Sequence, residues 1–335
     1  MANNVYKISR DQDMLHHVVI IDGFPGCGKT MLSPIISAFN RVEIMQYAPV
    51  IEQMCELWGL NRIDDDVAES MIRMNADVLI YNSMMGRYAN FRPSDLSSIF
   101  RHEPLTHIKR LLKKGDDLIP EVILRTKPIL QLTTHMLFPN YAVLFNSLRE
   151  KLTFIEVVRH PLYMIIQHEK NIQKIDDPRF QHIRYTLNEN EYTFYCAEWE
   201  DIYDHCNSFE RAIYSIKWYY SKLFSEDHVG TITIPFELFV KSPNNYLNTI
   251  SNVLDSPISK RVTDEMKKQK VPRKLLSDGP SLEIYQRCGW TPPQSHSEDE
   301  ELNIRRELVK KEVSKGALEV LDNLCQRYSK HFLNE

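Results

Sequence analysis

His17-Val18-Val19-Ile20-Ile21-Asp22-Gly23-Phe24-Pro25-Gly26-Cys27-Gly28-Lys29-Thr30 is a short apolar run that feeds straight into a glycine-rich turn. It reads as a strand followed by a loop, and Met31 to Phe39 behind the loop reads as a helix. Gly23 to Thr30 fits the pattern G-x-x-x-x-G-K-[ST]. In such a loop backbone N–H groups converge on an anion, the following helix presents its positive end, and a lysine neutralises phosphate charge. Side chains would block that approach, hence the glycines. The chain has only 10 of them, yet Gly23, Gly26 and Gly28 all fall here, which marks a dedicated turn. The sequence therefore predicts an anion site at Gly23, Phe24, Pro25, Gly26, Cys27, Gly28, Lys29 and Thr30, without naming the anion. Cys27 reads as a small residue suited to a tight turn.

Working outward, Val42 to Met45 reads as a short strand and Ile51 to Tyr88 as helical, rich in methionine. Arg92-Pro93-Ser94-Asp95 reads as the start of a helix that runs to Lys113-Lys114 and closes at Gly115. Two further apolar strands follow. Pro128 to Leu132 ends in Thr133-Thr134-His135, and Leu152 to Val158 ends in Arg159-His160-Pro161. Residues 171–207 are polar and aromatic without firm periodicity. Phe209 to Phe224 reads as helix, Val229 to Pro235 as strand, Pro243 to Leu254 as helix, and Ile304 to Phe332 as helix. Strands alternating with helices predict an α/β protein, with a mostly parallel sheet flanked by helices in three layers and helical insertions. In such sheets ligands bind beyond the carboxyl ends of the strands, so the loop, His135 and Arg159 are expected on one rim.

A chain of 335 residues can bury a substantial core, and its net charge of −4 lends no support to nucleic acid or an anionic membrane as a main partner. The first apolar run is the strand before the loop, so neither a signal peptide nor a membrane span is expected. Cys27, Cys55, Cys196, Cys206, Cys288 and Cys325 form no C-x-x-C pair, which predicts neither a disulfide framework nor a metal site. A cytoplasmic location is the expectation. The basic run Lys267 to Lys274 reads as a solvated face, with a phosphate role for Arg273 or Lys274 as the lesser alternative.

Four pieces of this chain, in order, resemble the P-loop sulfotransferase superfamily, whose donor is 3′-phosphoadenosine-5′-phosphosulfate (PAPS). They are the loop Gly23 to Thr30, the strand-end step Thr134-His135 with Met136-Leu137-Phe138-Pro139, the Val157-Val158-Arg159-His160-Pro161 segment, and Ile234-Pro235-Phe236-Glu237-Leu238-Phe239-Val240-Lys241-Ser242-Pro243. The resemblance implies that the loop and Lys29 bind the 5′-phosphosulfate. It implies His135 as the base and Arg159, with Gln167 or His160, as the clasp of the 3′-phosphate. It also implies one sulfotransferase-like domain over 1–335, with acceptor-side or lid insertions at 51–115 and 171–207 and a helical extension at 300–335. The acceptor would be a small molecule, lipid precursor or saccharide offering a hydroxyl or amine. Gly26 stands where that family has a basic residue, Lys29 where it has Ser or Thr, and Gln167 where it has a serine.

The loop is spelled like that of a nucleoside-triphosphate enzyme, so a small-molecule kinase using ATP or GTP with Mg²⁺ on Thr30 is the second reading. A non-catalytic nucleotide-binding protein of the same fold is the third. For His135 itself the plain alternative is a strand-end histidine bonded to backbone, and for Arg159 an ion pair with a carboxylate such as Glu156.

Overall fold

The computed structural model describes residues 6–11, 13–113, 115, 118–225, 230–281, 283–287 and 290–334. Lys114, Val229 and Cys288 lie outside the described residues. Seven strands are β1 (His17–Asp22), β2 (Gln46–Tyr47), β3 (Ile129–Thr133), β4 (Leu152–Val158), β5 (Arg184–Leu187), β6 (Asn190–Thr193) and β7 (Thr231–Pro235). Five of them form one parallel sheet in the order β2-β3-β1-β4-β7. The loop strand β1 therefore lies at its centre.

Every residue of β3 and β4, and all of β1 after His17, is buried. Continuous burial without alternation means that both sheet faces are covered. Register says by what. Val19 and Ile21 pair with Gln131 and Thr133 on β3, so these four side chains share a face. On that face lies α1 (Lys29–Ser37), whose Ser33 and Ser37 hydroxyls bond Thr133 Oγ1 at 2.9 Å and Gln131 Oε1 at 2.7 Å. Ile20 and Asp22 pair with Phe154 and Glu156 and look the other way. There Tyr219 of α9 (Ser208–Ser225) reaches both carboxylates. The result is a three-layer α/β fold.

Helices α2 (Pro49–Gly59) and α3 (Asp65–Met85) pack on each other and on α6 (Tyr141–Leu148). The expected strand at 42–45 is instead a single bridge from Val42 to Ile129, with pairing at Gln46 and Tyr47. The expected helix from Arg92 is also shorter. Asn90 accepts the Arg92 N–H at 2.9 Å and donates to Asp95, a side-chain turn that competes with helix, and α4 begins only at Pro104 (Pro104–Leu111). Within 171–207 a two-stranded hairpin pairs β5 with β6, its tip made by Asn188 and Glu189 at φ 50° and 69°. Two left-handed residues are the tight hairpin turn matched to strand twist. Behind the sheet's far end sit α7 (Ile165–Ile172), α10 (Phe236–Lys241), α14 (Glu298–Lys310) and α15 (Lys315–Tyr328). The last two were expected as one helix, and Ser314 separates them by capping the Ala317 N–H.

Phe154 is fully buried on β4, between Phe138, Tyr141 and Phe145. Phe154→Ala should lower the unfolding free energy by about 3–5 kcal/mol, the cost of a large buried aromatic and its cavity. Urea denaturation checks this, and a loss under about 1 kcal/mol would contradict the packing described.

Candidate functional site

The carboxyl ends of β1, β3 and β4 open into a cavity of about 830 Å³. Pro25 to Thr30, His135, Arg159 and Gln167 line it together, so the predicted segments do converge. Gly23 and Phe24 stand apart. Phe24 is a core residue, its ring 4.5 Å from that of His168 and 5.5 Å from that of Tyr219.

The loop's shape follows from what touches it. Gly28 has φ 112°, and a Cβ there would stand 2.3 Å from the Phe236 ring. Only glycine lets the loop close on that aromatic face. Lys29 is buried and donates to the carbonyls of Gly23 and, at 3.5 Å, Phe24. Its ammonium thus lies beneath the loop, at the N-terminus of α1. Cys27 is fully buried and its thiol is pushed up to about 11 by desolvation, so it is a packing residue. The Gln167 amide faces Gly26, where a Cβ would approach Oε1 to 3.1 Å.

Arg159 leaves the end of β4 with its guanidinium between two rings, 4.2 Å from Phe236 and 4.5 Å from Tyr163. Nη1 donates to the Gly26 carbonyl at 3.1 Å, while the buried Nε finds no acceptor. Burial lowers its pKa. The ion pair with Glu156 does not form, because Glu156 points into the sheet's other layer and accepts from Tyr219 at 2.8 Å. Instead Glu237 holds the backbone behind Arg159, accepting the His160 N–H at 2.9 Å and the Tyr328 hydroxyl at 2.6 Å.

Arg273 joins the same wall. Lys267, Lys268 and Lys274 are exposed as a solvated face requires, but Arg273 turns inward to 5.6 Å from the Phe236 ring. Burial and the nearby Arg159 push its pKa down to about 10. Neither arginine is in an ion pair among the described residues, so two partly desolvated guanidiniums flank one aromatic ring beside the loop. Such a pair is matched to a dianion.

Across the cavity His135 Nδ1 lies 3.0 Å from Glu52 Oε1, which also accepts the His135 backbone N–H at 2.7 Å. Glu52 is buried on α2, and the histidine contacts hold its pKa below the ordinary value despite desolvation. An ionised carboxylate only accepts, so Nδ1 carries the hydrogen and Nε2 is the ring nitrogen left to the cavity. One turn along α2 the arrangement repeats. Glu56, fully buried, takes His182 Nδ1 at 2.5 Å and the Ile183 N–H at 2.7 Å. The two imidazoles meet edge to face, centroids 6.3 Å apart, and both line the cavity.

Glu52, Glu56 and His182 were not singled out in the sequence, and Arg273 stood there only as the lesser alternative to a solvated face. A signal was present for the glutamates, since two carboxylates four residues apart flank Cys55 on the buried side of an apolar helix and must each find a donor.

No family model matches the chain, and no curated protein matches it. Among solved structures it is similar to the sulfotransferase domain of the Synechococcus PCC 7002 olefin synthase, at 12% identity and TM-score 0.46 over 97% of this chain and 98% of that one. It is also similar to a Mycobacterium avium sulfotransferase, at 11% identity and TM-score 0.41 over 96% and 78%. A third is a retinol dehydratase in complex with androsterone and inactive cofactor PAP, at 11% and 0.34 over 95% and 82%. The chemistry of the site is read from its own geometry. Among the described residues no helix is long and apolar enough to cross a membrane.

His168 sits under the loop with neither ring nitrogen bonded, and burial lowers its pKa to about 3. Between that value and 6.5 the unfolded chain binds a proton the folded chain refuses, so its contribution falls as pH falls. Relative to wild type, His168→Phe should gain about 1 kcal/mol per pH unit between roughly pH 6 and 4. Urea melts of both proteins across that range test this, and a pH-independent difference would refute it.

Proposed function

We propose that this protein is a sulfotransferase that moves a sulfuryl group from PAPS to a hydroxyl or amine. The observation that carries the reading is the oriented His135–Glu52 pair facing, across one cavity, an anion loop flanked by Arg159 and Arg273. The donor, when bound, supplies an activated sulfuryl group on a phosphate leaving group. The amides of residues 26–30 and Lys29 would hold the 5′ end and stabilise charge growing on the departing oxygen. Arg159 and Arg273 would take the 3′-phosphate, with Gln167 donating from α7. His135 would accept the acceptor's proton on Nε2, and Glu52 would stabilise the imidazolium that results. Each half of the reaction thus has its residues on the proper side of the cavity.

The proposal treats residues 1–335 as one domain. Segment 51–115 would supply Glu52 and Leu96, and 171–207 would supply Lys174, Phe180, Gln181, His182 and Tyr195, to the acceptor wall.

The kinase reading draws on Lys29 and Thr30 but finds less support in the carboxylates. Asp22 is fully buried and committed to the Thr134 hydroxyl and the Leu137 and Phe138 amides, and Glu52 is committed to His135. A metal on Thr30 would need another acidic partner.

Calorimetry with 3′-phosphoadenosine-5′-phosphate should show binding without metal, weakened about 10- to 100-fold in Arg159→Ala by loss of charged hydrogen bonds. Binding only of ATP, with Mg²⁺ required and Arg159 dispensable, would overturn the reading in favour of a kinase. In a PAPS-dependent assay with a panel of hydroxyl acceptors, His135→Ala should keep nucleotide affinity and lose about 10²–10⁴ in turnover. Undiminished turnover would remove His135 as the base.

A further inference from the structure

The His182–Glu56 pair is not required by the proton transfer assigned to His135, yet it is built with equal care. Glu56 is buried without exposure, it bonds both the His182 ring and the next backbone N–H, and His182 keeps about a fifth of its side chain open to the cavity. Phe180 and Phe194 pack the ring at 5.4 and 5.5 Å, so its direction is fixed. With Nδ1 held by Glu56, Nε2 is the atom left for a ligand.

The acids around it already have partners. Two carboxylates line the cavity, and both are engaged, Glu52 by His135 and Asp177 by Arg179. On the acceptor wall this leaves His182 and Lys174, the latter in no ion pair among the described residues. Glu56 favours the charged ring strongly enough to raise the His182 pKa against desolvation. Both rings hold Nδ1 against a glutamate and leave Nε2 to the cavity, and with centroids 6.3 Å apart one small molecule can span both.

We propose that His182, with Lys174 at the rim, forms an oxyanion subsite opposite His135, so that the acceptor is a hydroxy or amino compound that also bears a carboxylate or similar oxyanion. The word acceptor rests on the sulfotransferase reading, whereas the subsite rests on the geometry alone. It draws on side chains other than the loop, Arg159 and Arg273, which are assigned to the nucleotide.

The test uses matched probes that differ only in charge, 3-hydroxybenzoate with 3-hydroxybenzamide and 6-hydroxyhexanoate with its amide. These are titrated into the full chain carrying labelled histidine, with and without 3′-phosphoadenosine-5′-phosphate, and read by NMR. Each carboxylate should bind about tenfold more tightly than its amide and shift the His182 ring signals, since a charged hydrogen bond replaces a neutral one. His182→Gln should bring the two within about twofold while leaving nucleotide affinity unchanged, and Lys174→Ala should remove part of the preference. Equal binding of acid and amide, an unshifted His182 signal, or no binding of either member overturns the subsite. If His182→Gln does not fold because Glu56 has lost its partner, the wild-type His182 signal and Lys174→Ala decide. Failure of the nucleotide to bind wild type while the acids still select His182 would instead sink the sulfotransferase reading and keep the subsite.

Discussion

Asp22 is the tie on which the geometry of the site depends. It closes the central strand immediately before the loop, fully buried. Oδ1 accepts the Thr134 hydroxyl at 2.9 Å, and Oδ2 accepts the Leu137 and Phe138 amides at 2.8 and 3.0 Å. The turn that carries His135 is thereby bolted to the strand that leads into the Lys29 loop. Desolvation raises the Asp22 pKa, opposed chiefly by the nearby Lys29 and by the Thr134 bond. The adjacent Glu156, level with it in the next strand, is raised further by burial and by Asp22 itself. Two carboxylates so placed do not both ionise in a dry layer. Burial and Asp22 both push the Glu156 carboxyl towards its neutral form, whereas the Leu137 and Phe138 amides favour charge on Asp22.

Phe236 plays the corresponding part beside the loop. One residue beyond β7, it accepts Gly28 against its ring and carries Arg159 and Arg273 beside it. An aromatic face is a favourable seat for guanidinium because its quadrupole attracts the cation without neutralising it. A carboxylate in that place would hold the arginines as well but would cancel the charge an anion needs. Glu237, next in sequence, sits one layer back and bonds backbone and Tyr328 instead. Loop shape and arginine placement are therefore one constraint.

The sheet was legible because buried parallel strands advertise themselves as unbroken apolar runs. Leu152–Val158 is the strand as read, and the strand read from Pro128 falls at Ile129–Thr133. The positions of the loop, His135 and Arg159 followed from those strands, since each lies just past a strand end. Elements fixed by side-chain bonding were less legible. The Asn90 turn and the Ser314 cap replace helix with local hydrogen bonds that periodicity does not register. The partners of the site were hidden for a different reason. Glu52 and His135 are 83 positions apart, Glu56 and His182 126, and their meeting depends on how α2 lies over the ends of the strands. Arg273 was obscured by its neighbours, because the exposed Lys267, Lys268, Lys270 and Lys274 around it make the run look uniformly solvated.

The chain is acidic overall, at −4, yet its cavity is lined by Lys29, Arg159, Lys174, Arg179 and Arg273 against Glu52 and Asp177. Net charge therefore says little about what the site prefers, because the acids that would offset those cations are set one layer behind them. Asp22 and Glu156 lie beneath the loop, Glu237 behind Arg159, and Glu56 behind His182. From there they orient donors through hydrogen bonds, a short-range effect. Arg159 and Arg273, in no ion pair among the described residues, border the open space, where a bound anion would meet charge that is not already offset. Layering of this kind lets a chain that is acidic overall line one cavity with cations. It also makes the buried acids structural, since each is held by the donors it orients.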